Sequence, residues 1–199
     1  ELLGAPFPAA TAPDRAESAP PLQCNFTRKA YLDAVCRCKE YIAAGDIFQV
    51  NLSRRFETRI SLSPAQLFLR LRNINPAPMA AYLAFDDAAL ISASPERFLR
   101  VRGRQVETRP IKGTRPRGAT PAEDRALAEE LLRSEKDNAE LAMIVDLERN
   151  DLGRVCSYGT VKVSEPRRLE TFPTVHHLVA TVEGRLHPGR DIVDLLRAS

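Results

Sequence analysis

The hydrophobic pattern of the chain alternates between a period near 3.6 residues, typical of helices, and a period of two, typical of strands. A first helix is predicted over 28–44, because Thr27 can cap its start and Gly45 can end it. Its apolar face consists of Tyr31, Val35, Cys38 and Ile42. Further helices are predicted after Ser63-Pro64, after Thr120-Pro121, over 137–149 and from 191 onward.

Period-two alternation predicts strands at 47–57, 79–85, 88–93, 97–102, 105–109, 160–164 and 175–186. Asp86-Asp87 and Gly103-Arg104 are placed as the turns of two hairpins. In the last strand, His177 shares one face with Val179, Thr181 and Glu183. Helices between hairpin-rich strands predict an α+β fold with antiparallel or mixed sheets.

The composition of the 199 residues is that of a globular protein, with 44% hydrophobic residues and a net charge of +3. Acidic and basic residues are interspersed, so nucleic acid is not an expected partner, and no apolar run is long enough to span a membrane. The four cysteines lack metal-ligand spacing and are expected to be buried free thiols in the cytoplasm. Residues 1–24 are rich in proline and alanine and are interpreted as a linker before one domain at 25–199.

The stretch with the most evident chemistry is Glu107 to Gly118, ETRPIKGTRPRG. Proline and two glycines predict a rigid turn that carries Lys112 and Thr114 among three arginines. Such a turn suits a small polyanionic substrate, since guanidinium groups bind carboxylates through paired hydrogen bonds. Lys112 is either a nucleophile or a charge contact, and the whole stretch is equally compatible with a basic surface loop.

Three other positions have both a chemical and a structural interpretation. Glu96 follows a proline and can act as an acid or pair with Arg97. Asp137 and Glu140 share a helix face and can hold Mg²⁺ or simply face solvent. His177 can bind substrate or serve as a satisfied core residue.

Five ordered segments resemble the chorismate-utilising enzymes: GDIFQVNLSRRF at 45–56, SASPERFL at 92–99, ETRPIKGTRPRG at 107–118, EKDNAELAMIVDLERNDLGRV at 135–155 and VHHLVATVEGRL at 175–186. The resemblance implies two facing antiparallel sheets with outer helices and an active site between the sheets. It also implies that the substrate is chorismate, a ring bearing two carboxylates. Because the family domain continues past the motifs present here, the chain is expected to be a C-terminally truncated fragment with little activity of its own.

The sequence PIKGT, with Lys112 at its centre, is similar to the aminodeoxychorismate synthase branch, whereas anthranilate synthases resemble PIAGT. The implied reaction has Lys112 add to C2 of chorismate and Glu96 protonate the departing C4 hydroxyl, before ammonia from a glutamine amidotransferase attacks C4. Glu140 matches a Mg²⁺ ligand, and the substrate-pocket positions are Gly113, Thr114 and His177. Gln49 stands where isochorismate-forming relatives have a lysine that activates water.

Two alternatives to this assignment remain. The first is an anthranilate synthase component, which would release pyruvate and against which Lys112 argues. The second is a non-catalytic fragment that only binds chorismate or a partner subunit.

Overall fold

The computed structural model describes residues 21–199, so most of the predicted linker at 1–24 lies outside the described residues. The chain divides into two compact units at the boundary between Leu71 and Arg72. The first unit contains helix α1 (Arg28–Ala44) and the short antiparallel pair β1 (Gln23–Cys24) and β2 (Phe56–Glu57). Helix α2 (Pro64–Ile74) crosses the boundary.

Helix α1 confirms the capping argument at both ends. The Thr27 side chain accepts a hydrogen bond from the Ala30 N–H at 3.1 Å, and Gly45 ends the helix with a φ of 81°. The predicted strand at 47–57 is wrong except for its last two residues. Alternation alone does not make a strand, because the backbone must also pair with a neighbour, and residues 47–54 pair with no described strand.

The second unit contains seven strands and three whole helices. The strands are β3 (Met79–Ala84), β4 (Ala89–Ser94), β5 (Arg97–Arg102), β6 (Gln105–Arg109), β7 (Ile111–Pro116), β8 (Lys162–Thr171) and β9 (Val175–Arg185). The helices are α3 (Pro121–Arg133), α4 (Glu135–Gly153) and α5 (Ile192–Ala198). Both predicted hairpins are present, as β3–β4 and β5–β6, and every strand pair is antiparallel. The α+β prediction is therefore confirmed.

Strand β9 is the centre of the five-stranded sheet. Strand β8 pairs along one of its edges, while β6 and β7 follow one another along the other edge. Pro110 joins β6 to β7, and its carbonyl accepts a hydrogen bond from the Ala180 N–H at 3.1 Å. Proline has no N–H to donate, but at this junction the sheet uses only the carbonyl of residue 110 as an acceptor. Pro110 is therefore tolerated there.

The core lies between β9 and the helices. Leu178, Ala180 and Val182 alternate along β9 and are completely buried against leucines of α3, α4 and α5. The leucines are Leu131, Leu141, Leu152 and Leu195. Each buried leucine contributes about 1.5–3 kcal/mol, so this face anchors α4 to the sheet.

Three further predictions need correction. Residues 111–116, interpreted as part of a rigid turn, form strand β7, and strand β8 runs to Thr171 rather than ending at 164. Pro166 lies within β8, where the pairing with β9 is irregular, and proline is tolerated in an edge strand. Of the thiols, only Cys156 is buried, whereas Cys24 and Cys36 are exposed.

No described helix has the length and hydropathy needed to cross a bilayer.

Candidate active site

The site is organised by a β-bulge in strand β7. Ile111 pairs with Val179 and Thr114 pairs with His177, so β7 uses one more residue than β9 between these two pairs. The extra residue falls at Lys112 and Gly113, and Gly113 has a φ of 81°. Bulges interrupt a ladder and redirect side chains, which is why they recur beside active sites. The proline and glycines that predicted a turn thus belong to a bulged strand.

Gly113 lies where helices α3 and α4 approach the bulge most closely. A Cβ atom at this position would lie 2.7 Å from Cδ1 of Leu131 and 2.9 Å from Cβ of Asp137. Such distances are shorter than normal carbon contacts, so a side chain could not be accommodated unless Leu131 and Asp137 moved. The bulge that carries Lys112 is therefore fixed against α4.

The Glu96 carboxylate is tied to the backbone of β7 at the residue before Lys112. The Glu96 carboxylate accepts a hydrogen bond from the Ile111 N–H at 2.7 Å, one residue before Lys112. Arg97, which sequence reasoning offered as the partner of Glu96, pairs with Glu107 instead. Lys112 is partly buried, and it takes part in no ion pair or hydrogen bond within the part of the chain that is described. Glu96 is thus held beside the backbone that leads into Lys112, and neither side chain has an opposite charge at ion-pair distance among the described residues.

His177 joins the same cluster from the neighbouring strand. It is 7% exposed, and its Nδ1 lies 2.9 Å from the Thr114 hydroxyl, with which it shares a hydrogen bond. The Phe172 ring packs edge-on against the imidazole with 5.6 Å between centroids. Burial lowers the pKa of His177, although a hydrogen bond to the Gly113 backbone opposes the shift. A neutral imidazole hydrogen-bonded to Thr114 can donate a hydrogen bond to a bound ligand or accept one from it.

His176, the residue before His177, is held on the opposite face of β9 by two hydrogen bonds. Its Nε2 lies 3.0 Å from Asp124 and its Nδ1 lies 2.9 Å from the Thr171 hydroxyl. Asp124 also accepts hydrogen bonds from Arg117 and from the Gly118 N–H. The Arg117 guanidinium holds the pKa of Asp124 well below its usual range. This network fixes the end of β7 to the start of α3.

The arginines of ETRPIKGTRPRG do not form the anion grip that the sequence suggested. Arg109 pairs with Glu170, Arg117 with Asp124, and Arg115 with both Glu130 and Asp137. The acidic partners lie on α3, α4 and β8, between 7 and 61 residues away in the sequence, so the pairing depends on how these elements pack. The stretch positions Lys112 and Thr114 through these ion pairs.

The two carboxylates considered for Mg²⁺, Asp137 and Glu140, have different environments. Asp137 is ion-paired with Arg115 at 3.1 Å, so its oxygen is already engaged. Glu140 has a side chain that is 44% exposed and lies 3.8 Å from Lys136, which leaves its oxygens accessible. No cluster of three or more metal-ligating side chains occurs in residues 21–199. Glu140 fits a Mg²⁺ ion that is held by one carboxylate and otherwise by water or substrate oxygens.

Sequence reasoning missed Glu148. This residue lies on α4 in the stripe that packs on the sheet, formed by Leu141, Val145, Glu148 and Leu152. Burial raises its pKa, and both Lys112 and Glu96 influence it electrostatically. The sequence signal that could have revealed Glu148 is its position on a helix face where the other residues are apolar.

Comparison with known proteins identifies the family to which this chain belongs. Residues 7–199 match the family described as chorismate binding enzyme, and the chain belongs to that family. The particular activity is less sharply defined, because relatives with two different names are similarly close. The chain is 51% identical over 183 residues to anthranilate synthase component 1 of Thermus thermophilus and 47% identical over 193 residues to aminodeoxychorismate synthase component 1 of Bacillus subtilis.

These alignments cover 92% and 96% of this chain but only 40% and 41% of the relatives, so the chain spans about two fifths of their length. Among solved structures, anthranilate synthase component I from Streptococcus pneumoniae superposes with a TM-score of 0.81 at 35% identity. That superposition covers 92% of this chain and 40% of the other. The fold prediction is confirmed.

Proposed function

We propose that the protein containing this chain converts chorismate and ammonia to 4-amino-4-deoxychorismate, with Lys112 as a covalent nucleophile. The observation that carries the proposal is the bulge of β7, which sets Lys112 one residue after the N–H that binds Glu96. A lysine without a close ion pair can serve as a nucleophile, and the carboxyl group bound one residue before it can serve as the general acid.

In the first half of the reaction the neutral amine of Lys112 attacks C2 of chorismate. Both ring double bonds shift, the C4–O bond breaks, and Glu96 gives its proton to the departing hydroxyl, which leaves as water. Glu96 later regains a proton from solvent. Ammonia then attacks C4 and the C2–N bond breaks, so the electron pair returns to Lys112. The product keeps the ammonia protons as an ammonium group, and the lysine amine is restored without an external oxidant or base.

The neighbouring groups have supporting roles. Thr114 and His177 share a hydrogen bond and offer polar contacts to the substrate, while Gly113 keeps the backbone close to α4. Glu140 would hold Mg²⁺, which neutralises a substrate carboxylate when bound. Gln49 has no basic group, which argues against activation of water for an isochorismate-forming reaction.

A glutamine amidotransferase is the proposed source of ammonia. The relatives from Thermus thermophilus and Bacillus subtilis are both named component 1, which supports a second component as partner. Supply by a separate protein would let free ammonium salt replace glutamine in an assay.

The second candidate is anthranilate synthesis, favoured by the 51% identical relative from Thermus thermophilus. In that reaction ammonia itself adds at C2, both ring double bonds shift, the C4 hydroxyl leaves as water, and pyruvate is then eliminated from C3. A lysine that occupies C2 blocks that course, so Lys112 disfavours it.

The test uses the full-length protein with chorismate, Mg²⁺ and an ammonium salt. We expect an aminodeoxychorismate product by mass spectrometry and no pyruvate, with product formation abolished in Lys112→Ala. Lys162→Ala is a matched control, because Lys162 lies on β8 with a side chain that is 69% exposed. Release of pyruvate with anthranilate, or full activity in Lys112→Ala, would overturn the proposal.

A further inference from the structure

His177 stands in the middle of a row of three polar residues that crosses the sheet. Thr114 on β7 and Glu170 on β8 are its direct pairing partners, one along each edge of β9. Directly opposed residues of antiparallel strands present their side chains on the same face, with Cβ atoms about 4.5–5.5 Å apart. The imidazole shares a hydrogen bond with Thr114 on one side, and it therefore has a carboxylate as its neighbour on the other.

Glu170 carries its own counter-charge. Its Oε1 forms an ion pair with the Arg109 guanidinium, and the side chains of Glu170 and Arg109 are only 19% and 22% exposed. The Arg168 Nε lies 3.7 Å from the same oxygen, but that side chain is 56% exposed, so solvent screens its charge more strongly. Arg109 is thus the cation that offsets most of the charge on Glu170.

The same ion pair joins strands that lie on opposite sides of β9. Arg109 ends β6, just before Pro110 and the bulge of β7, whereas Glu170 lies near the end of the edge strand β8. The pairing of β8 with β9 is irregular at two places before Arg168, so the register alone holds β8 loosely there. The ion pair therefore anchors the end of β8, from which Phe172 reaches the imidazole of His177.

Two opposing influences act on the protonation of His177. Burial lowers its pKa, whereas a hydrogen bond to the Gly113 backbone and the carboxylates of Glu170 and Glu96 oppose that shift. A carboxylate beside an imidazole favours the imidazolium form, and a cation that neutralises the carboxylate weakens this effect. The charge balance between Glu170 and Arg109 thus bears directly on the state of His177.

We infer that Arg109 and Glu170 form a positioning pair for His177, which fixes the end of β8 beside the imidazole and keeps it neutral because Arg109 offsets the adjacent carboxylate. The catalytic meaning of this inference rests on the proposed function, in which His177 contacts the substrate beside Thr114. A neutral imidazole can both donate and accept a hydrogen bond there, whereas an imidazolium can only donate.

The experiment follows the protonation of His177 in the full-length protein without substrate. The protein is labelled with ¹³C in its histidine rings and titrated by NMR, and His177→Gln assigns the signal of His177. In Arg109→Gln the charge of Glu170 is no longer offset, so we expect the titration midpoint of His177 to rise by about one pH unit. In Glu170→Gln an unpaired Arg109 replaces the neutral pair, so the midpoint should fall by about half a unit.

The opposite signs separate charge from structure. Loss of the ion pair through looser packing alone would admit water to the imidazole in both variants and raise both midpoints toward the ordinary value. Arg109→Lys keeps the charge and should retain most of the wild-type midpoint.

Arg100→Gln is the matched control on the same sheet. It also removes an arginine from an ion pair, with Glu107, whose partner on β9 is Glu183. Glu183 lies six residues from His177 along β9, which is roughly 20 Å, so the midpoint should stay unchanged.

The inference is overturned when the midpoint of Arg109→Gln does not rise, when that of Glu170→Gln does not fall, or when Arg100→Gln moves it equally. Should Arg109→Gln not fold, the direction of the shift in Glu170→Gln decides. The acid limb of kcat/KM for chorismate should move to higher pH in Arg109→Gln, together with the NMR midpoint. Because the titration uses no chorismate, it tests the pair even when Lys112→Ala proves active and the proposed function fails.

Discussion

Replacing Gly113 with alanine tests whether the bulge of β7 is fixed against the helices. The new Cβ would meet Leu131 at 2.7 Å and Asp137 at 2.9 Å, and the backbone has a φ of 81°. A left-handed conformation costs a residue with a Cβ about 1–2 kcal/mol, and overpacking adds about 1–3 kcal/mol, which together give about 2–5 kcal/mol. Domains unfold with about 5–15 kcal/mol in all, so the loss should be easily measured.

The assay is urea unfolding of the chain, followed by circular dichroism, with Gly103→Ala as the matched control. Gly103 also has a positive φ, 59°, but a Cβ there would meet nothing within 4 Å. The control should therefore lose about 1–2 kcal/mol, the conformational cost alone. Equal losses in the free energy of unfolding would contradict the close packing of α3 and α4 against the bulge. They would also contradict the inference that α4 positions Lys112.

Two predictions concern pH. Burial lowers the pKa of His177, so the unfolded state binds a proton before the folded state does, and the free energy of unfolding should fall as the pH drops below about 6.5. Measured by urea unfolding, the loss of stability between pH 8 and pH 5 should be smaller in His177→Gln than in the wild type. The control His187→Gln, at an exposed position, should behave as wild type. Arg117 lowers the pKa of Asp124, so its contribution is present above the ordinary carboxyl pKa and is lost as the pH falls. Asp124→Asn should therefore lower the melting temperature at pH 7, with a difference that shrinks below about pH 4, and a constant difference across this range would contradict the role assigned to the ion pair.

The parts of the fold that the sequence predicted are those whose causes are local. Thr27 and Gly45 bound α1 because a cap needs only its own few residues, and the β5–β6 hairpin follows from Gly103 in its turn. The predictions of secondary structure fail where the structure depends on pairing with residues distant in the sequence. Residues 47–54 alternate like a strand but lack a described partner, and the turn signals around Gly113 belong to a bulge that only pairing with β9 defines.

The candidate site shows the same division. Lys112 and Glu96 were recognised as chemical groups from sequence, but the hydrogen bond from the Ile111 N–H that holds Glu96 beside the backbone leading into Lys112 depends on the path of the chain between β5 and β7. Glu148 was missed because it interrupts a helix stripe that otherwise reads as ordinary core. A charged residue on a packed face was the available signal, and its meaning depended on what lay across the interface.

The ion pairs of the arginines bear on how a ligand with two carboxylates would be held. Arg109, Arg115 and Arg117 each already pair with a carboxylate, so their charge is largely neutralised where the sequence seemed to offer it. Within the described residues of this stretch, Lys112 is the cation without such a pair, and the proposed reaction needs it neutral. Within the proposed function, we expect Mg²⁺ held at the accessible Glu140 to neutralise a substrate carboxylate. The arginines of this stretch are engaged in ion pairs that hold β7 in place, so the metal would supply the positive charge that they do not.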